Sequence, residues 1–419
     1  MAQMPDPVTD ADYMPLDPAQ VRLGQMLFYD PILSGNRNIS CATCHHPKFA
    51  TADGVALSLG EGGVGLGPER HATAQNTPEQ RIPRHAPALF NLGAREFTRL
   101  FHDGRIEVDP DKPGGLRTPM GAEMTAGFAN LLSAQTMFPV LSADEMAGHY
   151  SENDVSQAVR QGRITGPGGA WDLLSARVVE TPGYAPLLAA AFPGQERVDF
   201  TDISDAIAAF VAFEWRSDTS AFDAYLRGQG DLSPQATRGM TLFYGSAGCA
   251  ACHSGPFQTD HGYHAMGVPQ FGPGKAARFE DHARDTGRMR VTGKAEDAYA
   301  FRTPSLRNVA DTAPYGHTGS HADLAGFIVA HLDPQRALDL FEPSTVTLPV
   351  MAGLDDWRYI GDPAEQARLR AAVSVQPREL AEDDVAALVA FLGSLSDPEA
   401  LGDRLGVPDA VPSGLPVDR

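Results

Sequence analysis

The chain has 419 residues, a formal net charge of −20, 42 glycines, 33 prolines and four cysteines. That length fits two domains, and the acidity excludes a nucleic-acid role, because a negative surface repels a polyanion. No apolar run approaches the length of a membrane span, and the abundant glycine and proline predict long structured loops between modest helices.

In chain order, the start (Met1-Ala2-Gln3-Met4-Pro5) carries no basic region and no apolar stretch, so it does not read as a signal peptide. Leu16-Asp17-Pro18 opens the first predicted helix, with Asp17 as N-cap and Pro18 at the first helical position. Gly24-x-x-Leu27-Phe28-Tyr29 follows, then Cys41-Ala42-Thr43-Cys44-His45. The glycine-rich run from Gly60 to Gly67 is not a phosphate loop, since no Lys-Ser/Thr follows it. Ile203, Ile207, Phe210 and Val211 have helical spacing. The pattern then restarts. Leu232-Ser233-Pro234 offers another cap, Gly239-x-x-Leu242-Phe243-Tyr244 follows, and Cys249-Ala250-Ala251-Cys252-His253 comes next. Leu324, Phe327, Ile328 and His331 fall at i, i+3, i+4 and i+7, which puts His331 on a buried helix face. Val385, Leu388, Val389 and Leu392 predict a closing amphipathic helix.

Each Cys-x-x-Cys-His is a c-type haem attachment pattern, in which two thioethers hold the porphyrin edge and the next His reaches the iron. The two motifs use all four cysteines. The alternative is a zinc site formed where the two Cys pairs meet, which leaves both following histidines unexplained. A Soret band in the absorption spectrum separates the two. The repeated helix, haem loop and closing helix predict a mainly α fold with two class I cytochrome c-like domains. The expected division is a lead at 1–15, a first haem domain at 16–225, a second at 226–400 and a tail at 401–419. Covalent haem attachment in bacteria takes place outside the cytoplasm, so a periplasmic protein in mature form is expected.

Further stretches carry a family resemblance. They are Arg84-His85-Ala86-Pro87-Ala88-Leu89-Phe90-Asn91, Phe101-His102-Asp103-Gly104-Arg105 and Gln135 to Met146 in the first half. In the second half they are Phe301-Arg302-Thr303-Pro304-Ser305-Leu306-Arg307-Asn308 and Ala313-Pro314-Tyr315-Gly316-His317-Thr318-Gly319. In this order, over about 16 to 395, they resemble the bacterial dihaem cytochrome c peroxidase and MauG-like superfamily. The resemblance implies a peroxidatic haem in the first domain, ligated by His45, and an electron-transfer haem in the second, ligated by His253.

It also implies site residues. The family's distal Gln, Pro and Glu, at steps of four and six, fall on Gln135, Pro139 and Glu145, with Glu145 as acid/base and Gln135 as hydrogen-bonder. Glu123-Met124 is a rival Glu-Met pair. Where many relatives place a loop His that caps the first haem, this chain has Glu61, with His71 ten residues on; an open first haem is expected. The second haem's sixth ligand falls on His331, with Met266 and then Met289 as alternatives. A bridging Trp of many relatives is replaced by His102, which reads as an electron relay or as a propionate hydrogen-bonder. Trp171, Trp215 and Trp357 lie elsewhere. Calcium between the domains is implied, with Thr312 and Pro314 giving carbonyls, but the family's Asn is His85, a poor ligand for that cation.

The implied function is reduction of hydrogen peroxide with electrons from a small cytochrome c or cupredoxin. The alternatives are a MauG-like oxidation of a residue on a partner protein, and a dihaem electron carrier without turnover. The acidity reads either as solubility or as steering towards a basic redox partner. The resemblance suggests a homodimer.

Overall fold

The computed structural model describes residues 2–275 and 282–419. Helices dominate, and among the described residues the strands form three small sheets of two, three and two strands. None of the described helices is long and apolar enough to cross a membrane.

The first helix, Pro18–Tyr29, begins where Asp17 Oδ1 accepts from Ala19 N–H at 2.8 Å. That carboxylate satisfies one of the backbone donors left free at a helix start. Leu23, Leu27, Phe28 and Tyr29 are buried on its inner face. The partner is the helix Phe200–Glu214, whose Ile203, Ile207, Phe210 and Val211 are all buried, as the spacing predicts. The same pairing recurs between Pro234–Phe243 and Glu382–Gly393. Ser233 Oγ caps the former by accepting from Ala236 N–H at 3.1 Å. Val385, Leu388 and Leu392 are buried in the latter, and Val389 is half-buried.

One glycine in each pair permits the crossing. A Cβ on Gly24 would lie 1.8 Å from Ala206 O and 2.9 Å from Phe210 Cβ. A Cβ on Gly239 would lie 1.9 Å from Ala387 O and 2.8 Å from Phe391 Cβ. The two contacts are equivalent atom for atom, which is the internal repeat expressed in packing. Gly239→Ala therefore forces the helices apart and destabilises by about 1–3 kcal/mol. A fall in the thermal midpoint measures it; an unchanged midpoint would contradict the close crossing.

The apolar cores change over between Trp215 and Phe222. The short helix Ala221–Leu226 therefore packs with the second core, just ahead of the expected division at 225. The chain ends are not loose. Met4 packs on the second core, while Val8 and Tyr13 join Phe257. Past Asp397 the chain crosses back, and Ala400 and Val411 enter the first core. Glu214 accepts from Leu405 and Gly406 N–H, Asp30 accepts from Ser413, and Asp418 Oδ2 accepts from Thr43 Oγ1 at 2.5 Å.

Within the second core Arg307 and Asp223, both fully buried, meet at 2.6 Å. Other polar links bind the two halves. Arg84 spans Asp103 at 2.8 Å and Asp285 at 2.6 Å. Asn91 and Asn308 each lie four residues after a motif proline and adopt left-handed backbone, at φ 61° and 60°. Asn tolerates that conformation better than most residues. Asn91 accepts from Ser217 N–H at 2.7 Å, and Asn308 Nδ2 donates to Ser217 Oγ at 3.0 Å. One serine between the cores thus ties both repeats.

Candidate functional site

Cys41–Cys44 forms one short helical turn, and His45 follows as its C-cap. His45 Nδ1 bonds Thr51 O at 2.9 Å. The loop Cys249–His253 repeats this, with His253 Nδ1 on Gln258 O at 3.1 Å. His331 has the same arrangement on the helix Leu324–Leu332, its Nδ1 on Phe327 O at 2.8 Å. In each case a backbone carbonyl fixes the proton on Nδ1 and leaves the Nε2 lone pair free, which is how a protein prepares an imidazole for a metal. Burial lowers the pKa of all three rings, keeping them neutral. His253 is pushed down to about 4, by burial first and by the charge of His331 second.

The four cysteines do not converge. Among the described residues the one His/Cys/Asp/Glu group with metal-ligand spacing is Cys252, Asp260 and His264, which contains a single cysteine. A shared zinc at two Cys-x-x-Cys pairs does not fit this geometry. Two separate loops, each with two thiols and a prepared imidazole, fit one haem apiece.

Around the first loop a polar cluster gathers. Helix Leu131–Gln135 carries Gln135 at its end, half-buried, its amide without a hydrogen bond among the described residues. Phe138 meets the Phe101 ring edge-on at 5.0 Å, and the Arg105 guanidinium lies 4.2 Å over Phe101. Glu145 sits in a single wide turn, Ala143–Ala147, closed by Ala147 N–H donating to Ser142 O at 2.9 Å. Such five-residue turns often mark functional positions. Burial raises the Glu145 pKa, while Lys275 and Arg105 oppose the rise. Glu145 also acts electrostatically on the Cys44 thiol, raising its pKa. The rival Glu123 is exposed.

Comparison with known proteins decides what this arrangement belongs to. Residues 18–231 match the family model described as di-haem cytochrome c peroxidase. Methylamine utilization protein MauG of Methylorubrum extorquens is 31% identical over 76% of this chain and 70% of that protein. The chain belongs to the di-haem cytochrome c peroxidase family. It is an oxidoreductase whose cofactors are haems. Cytochrome c551 peroxidase of Pseudomonas aeruginosa is 30% identical over 84% of this chain and 83% of that one. The fold matches the diheme peroxidase BthA from Burkholderia thailandensis, with a TM-score of 0.62, 23% identity and coverage of 100% and 95%.

Two positions expected from the resemblance to depart from the family have defined surroundings. Glu61 Oε1 accepts from the amides of Asn36, Asn38 and Asn76 at 3.0, 2.9 and 2.9 Å. Its backbone N–H donates to Asp144 O at 3.0 Å. His71 is exposed, on a two-residue strand, with Nδ1 at Glu69 O. Neither Glu61 nor the exposed His71 supplies a buried imidazole at the first of these positions, and the buried ring of His85 holds its Nδ1 to Val55 O. His102 lies on the seam between the halves, where its O accepts from Arg302 N–H at 2.7 Å. Its Nε2 bonds His85 O at 3.0 Å, and its ring centroid is 6.5 Å from that of His317. His317 stacks on Phe301 at 3.5 Å. Trp171 stacks on Phe200, Trp215 packs on Phe28, and Trp357 packs on Phe271.

The calcium expectation meets a poor donor set. His85 Nδ1 donates to Val55 O at 2.8 Å, so a proton faces the carbonyl that a cation would need. The nearest carboxylate to that ring, Asp53, is 3.7 Å away, and burial pushes its pKa up to about 7. Thr312 and Pro314 would add backbone carbonyls without a charged oxygen. Dialysis against a chelator is expected to leave the thermal midpoint unchanged. A midpoint that falls and is restored by calcium would contradict this.

Lys275, the Arg84–Asp103–Asp285 group and His149 were not singled out from the sequence. Arg84 and Asp103 lie inside motif stretches and could have been suspected. Lys275 and His149 lie in no motif; Lys275 acts on Glu145 from far along the chain, while His149 follows it by four residues.

Proposed function

We propose that this protein is an exported, periplasmic dihaem c-type peroxidase that reduces hydrogen peroxide to water. Cys41, Cys44 and His45 would hold one haem, and Cys249, Cys252 and His253 the other, with His331 as the latter's second axial ligand. When bound, the haem irons supply one-electron chemistry and a place for peroxide. Glu145 takes the proton from peroxide and returns it to the departing oxygen. The Gln135 amide donates to the charge that develops there. Arg105 and Lys275 favour the ionised form of Glu145, in which it can act as a base. His102, with His317 and Phe301, lies on the seam that electrons cross. A small cytochrome c or cupredoxin supplies the electrons.

The observation that carries this reading is the asymmetry of the two loops. The first has the half-buried Glu145 in its wide turn, and the buried imidazole on its side, His85, has Nδ1 held by Val55 O. The second has His331, whose Nε2 is left free in the same way as that of His253, which favours His331 over Met266 and Met289. A plain electron carrier needs no Glu145. Mixing peroxide with the haem-loaded, oxidised protein and reduced cytochrome c tests the reading. Oxidation of two cytochromes per peroxide supports it. Peroxide consumed with cytochrome and cupredoxin both untouched refutes it.

The tethering of Glu61 favours a second reading. An uncapped first haem needs no prior reduction, and a MauG-like oxidation of a protein residue would use that readiness.

A further inference from the structure

We propose that the C-terminal segment 411–419 closes the first Cys-x-x-Cys-His loop to donor proteins, so that a partner's electrons enter through the second loop alone. This rests on the reading of the protein as a dihaem peroxidase with its peroxide site at the first haem.

The segment is held along its whole approach. Gln25 Nε2 donates to Leu405 O at 3.1 Å and to Gly406 O at 2.8 Å. Arg404 Nη1 donates to Glu214 O at 2.8 Å and to Arg216 O at 2.7 Å. Val411 is buried in the first core, and Leu415 and Val417 pack on it half-buried. Ser413 Oγ donates to Asp30 Oδ1 at 2.7 Å. Beyond these anchors the chain runs onto the loop itself. Asp418 Oδ2 accepts from Thr43 Oγ1 at 2.5 Å, and Thr43 lies between Cys41 and Cys44. Asp418 O also pairs with His46 Nε2 at 3.3 Å. His46 Nδ1 accepts from Lys48 N–H, so the ring proton is on Nε2 and the ring donates to Asp418.

The internal repeat provides the control. Thr43 corresponds to Ala251, and His46 to Ser254. Thr43 is 2% exposed and His46 4%. Ala251 is exposed and Ser254 half-buried. Two loops of the same spacing thus differ in cover, and the groups bonded to Thr43 and His46 come from Asp418. A strap that only stabilised the fold would be complete at Gln25, Glu214 and Asp30. Thioethers at Cys41 and Cys44 bring a porphyrin edge to the first loop. A donor protein must come close to such an edge, because electron transfer weakens steeply with separation. At the second loop it meets the small, exposed Ala251. Two reduced donors then each lose one electron there, and the first haem passes both to peroxide (H2O2 + 2 H+ + 2 e− → 2 H2O).

The test uses the haem-loaded protein. A chain ending at Ser413 keeps Val411 in the core and the Ser413–Asp30 bond while uncovering Thr43. A full-length variant, Leu415→Asp with Val417→Asp, lifts the same stretch by charging its apolar contacts. The first readout is nuclear magnetic resonance of the hyperfine-shifted haem methyl protons. The second haem's set is assigned by its change in His331→Gly. A soluble gadolinium chelate should broaden that set alone in the parent, and both sets in each tail variant. The second readout is kcat/KM for oxidation of a basic reduced cytochrome c by peroxide. Ala251→Lys, which puts a like charge on the second loop, should lower it about ten-fold in the parent and about two-fold or less in the tail variants. Both sets broadened in the parent, or one set in the tail variants, overturns the cover. Equal loss on Ala251→Lys with and without the tail, or no loss in the parent, overturns the single entry. A parent that oxidises no cytochrome with peroxide would instead remove the peroxidase reading, and the single entry with it, while the methyl signals still decide the cover.

Discussion

Glu145→Gln lowers the rate constant for reaction with peroxide by about 10²–10⁴-fold. The substituted amide keeps the volume and some hydrogen bonding but cannot accept a proton at any working pH. Burial raises the Glu145 pKa above the usual carboxylate range, and Lys275 and Arg105 limit that rise. The reactive form is the carboxylate. In the parent protein the rate should therefore fall as pH drops through this raised pKa and reach a plateau above it. The variant should be slow and lack that limb. Stopped-flow across pH checks both. Parent-like rates in Glu145→Gln would remove it from the chemistry. The wide turn Ala143–Ala147 should persist, because its closing bond runs between the backbones of Ala147 and Ser142.

The second large effect is expected at His331. His331→Gly removes the imidazole without touching Cys249, Cys252 or the His253 Nδ1 bond to Gln258 O. Haem content should stay at two per chain. One haem signal in electron paramagnetic resonance should change from low-spin to high-spin, and the potential of that haem should shift, because axial ligation sets both. A near-infrared charge-transfer band from methionine to iron in the parent would refute the assignment and favour Met266 or Met289. The Phe327 ring, 4.4 Å from His331 and edge-on to it, helps to hold the imidazole's orientation.

The sequence made the parts governed by local spacing legible. Cys41 to His45 and Cys249 to His253 lie within five residues each, and covalent chemistry requires that spacing. The paired glycines, Gly24 and Gly239, were visible as a repeat, although only the fold shows that each lets a carbonyl approach. His331 was legible because helical periodicity places it on one face with Leu324, Phe327 and Ile328. Contacts between residues far apart in the chain were not. The Arg84–Asp285 pair joins positions 201 residues apart, and no local pattern encodes it. The return of the C-terminal segment to Thr43 and Asp30 is of the same kind. Glu123 and Glu145 are both followed by Met, and burial alone separates them. His149 escaped notice because an isolated histidine has no signature; only the fold sets its Nδ1 3.6 Å from Glu79 Oε1.

The central claim is a division of labour: one haem open to small ligands, the other closed by His331. Cyanide titration of the fully oxidised, haem-loaded protein tests it most directly. The account predicts one cyanide bound per chain, and two in His331→Gly. Two bound in the parent, or none, would contradict it.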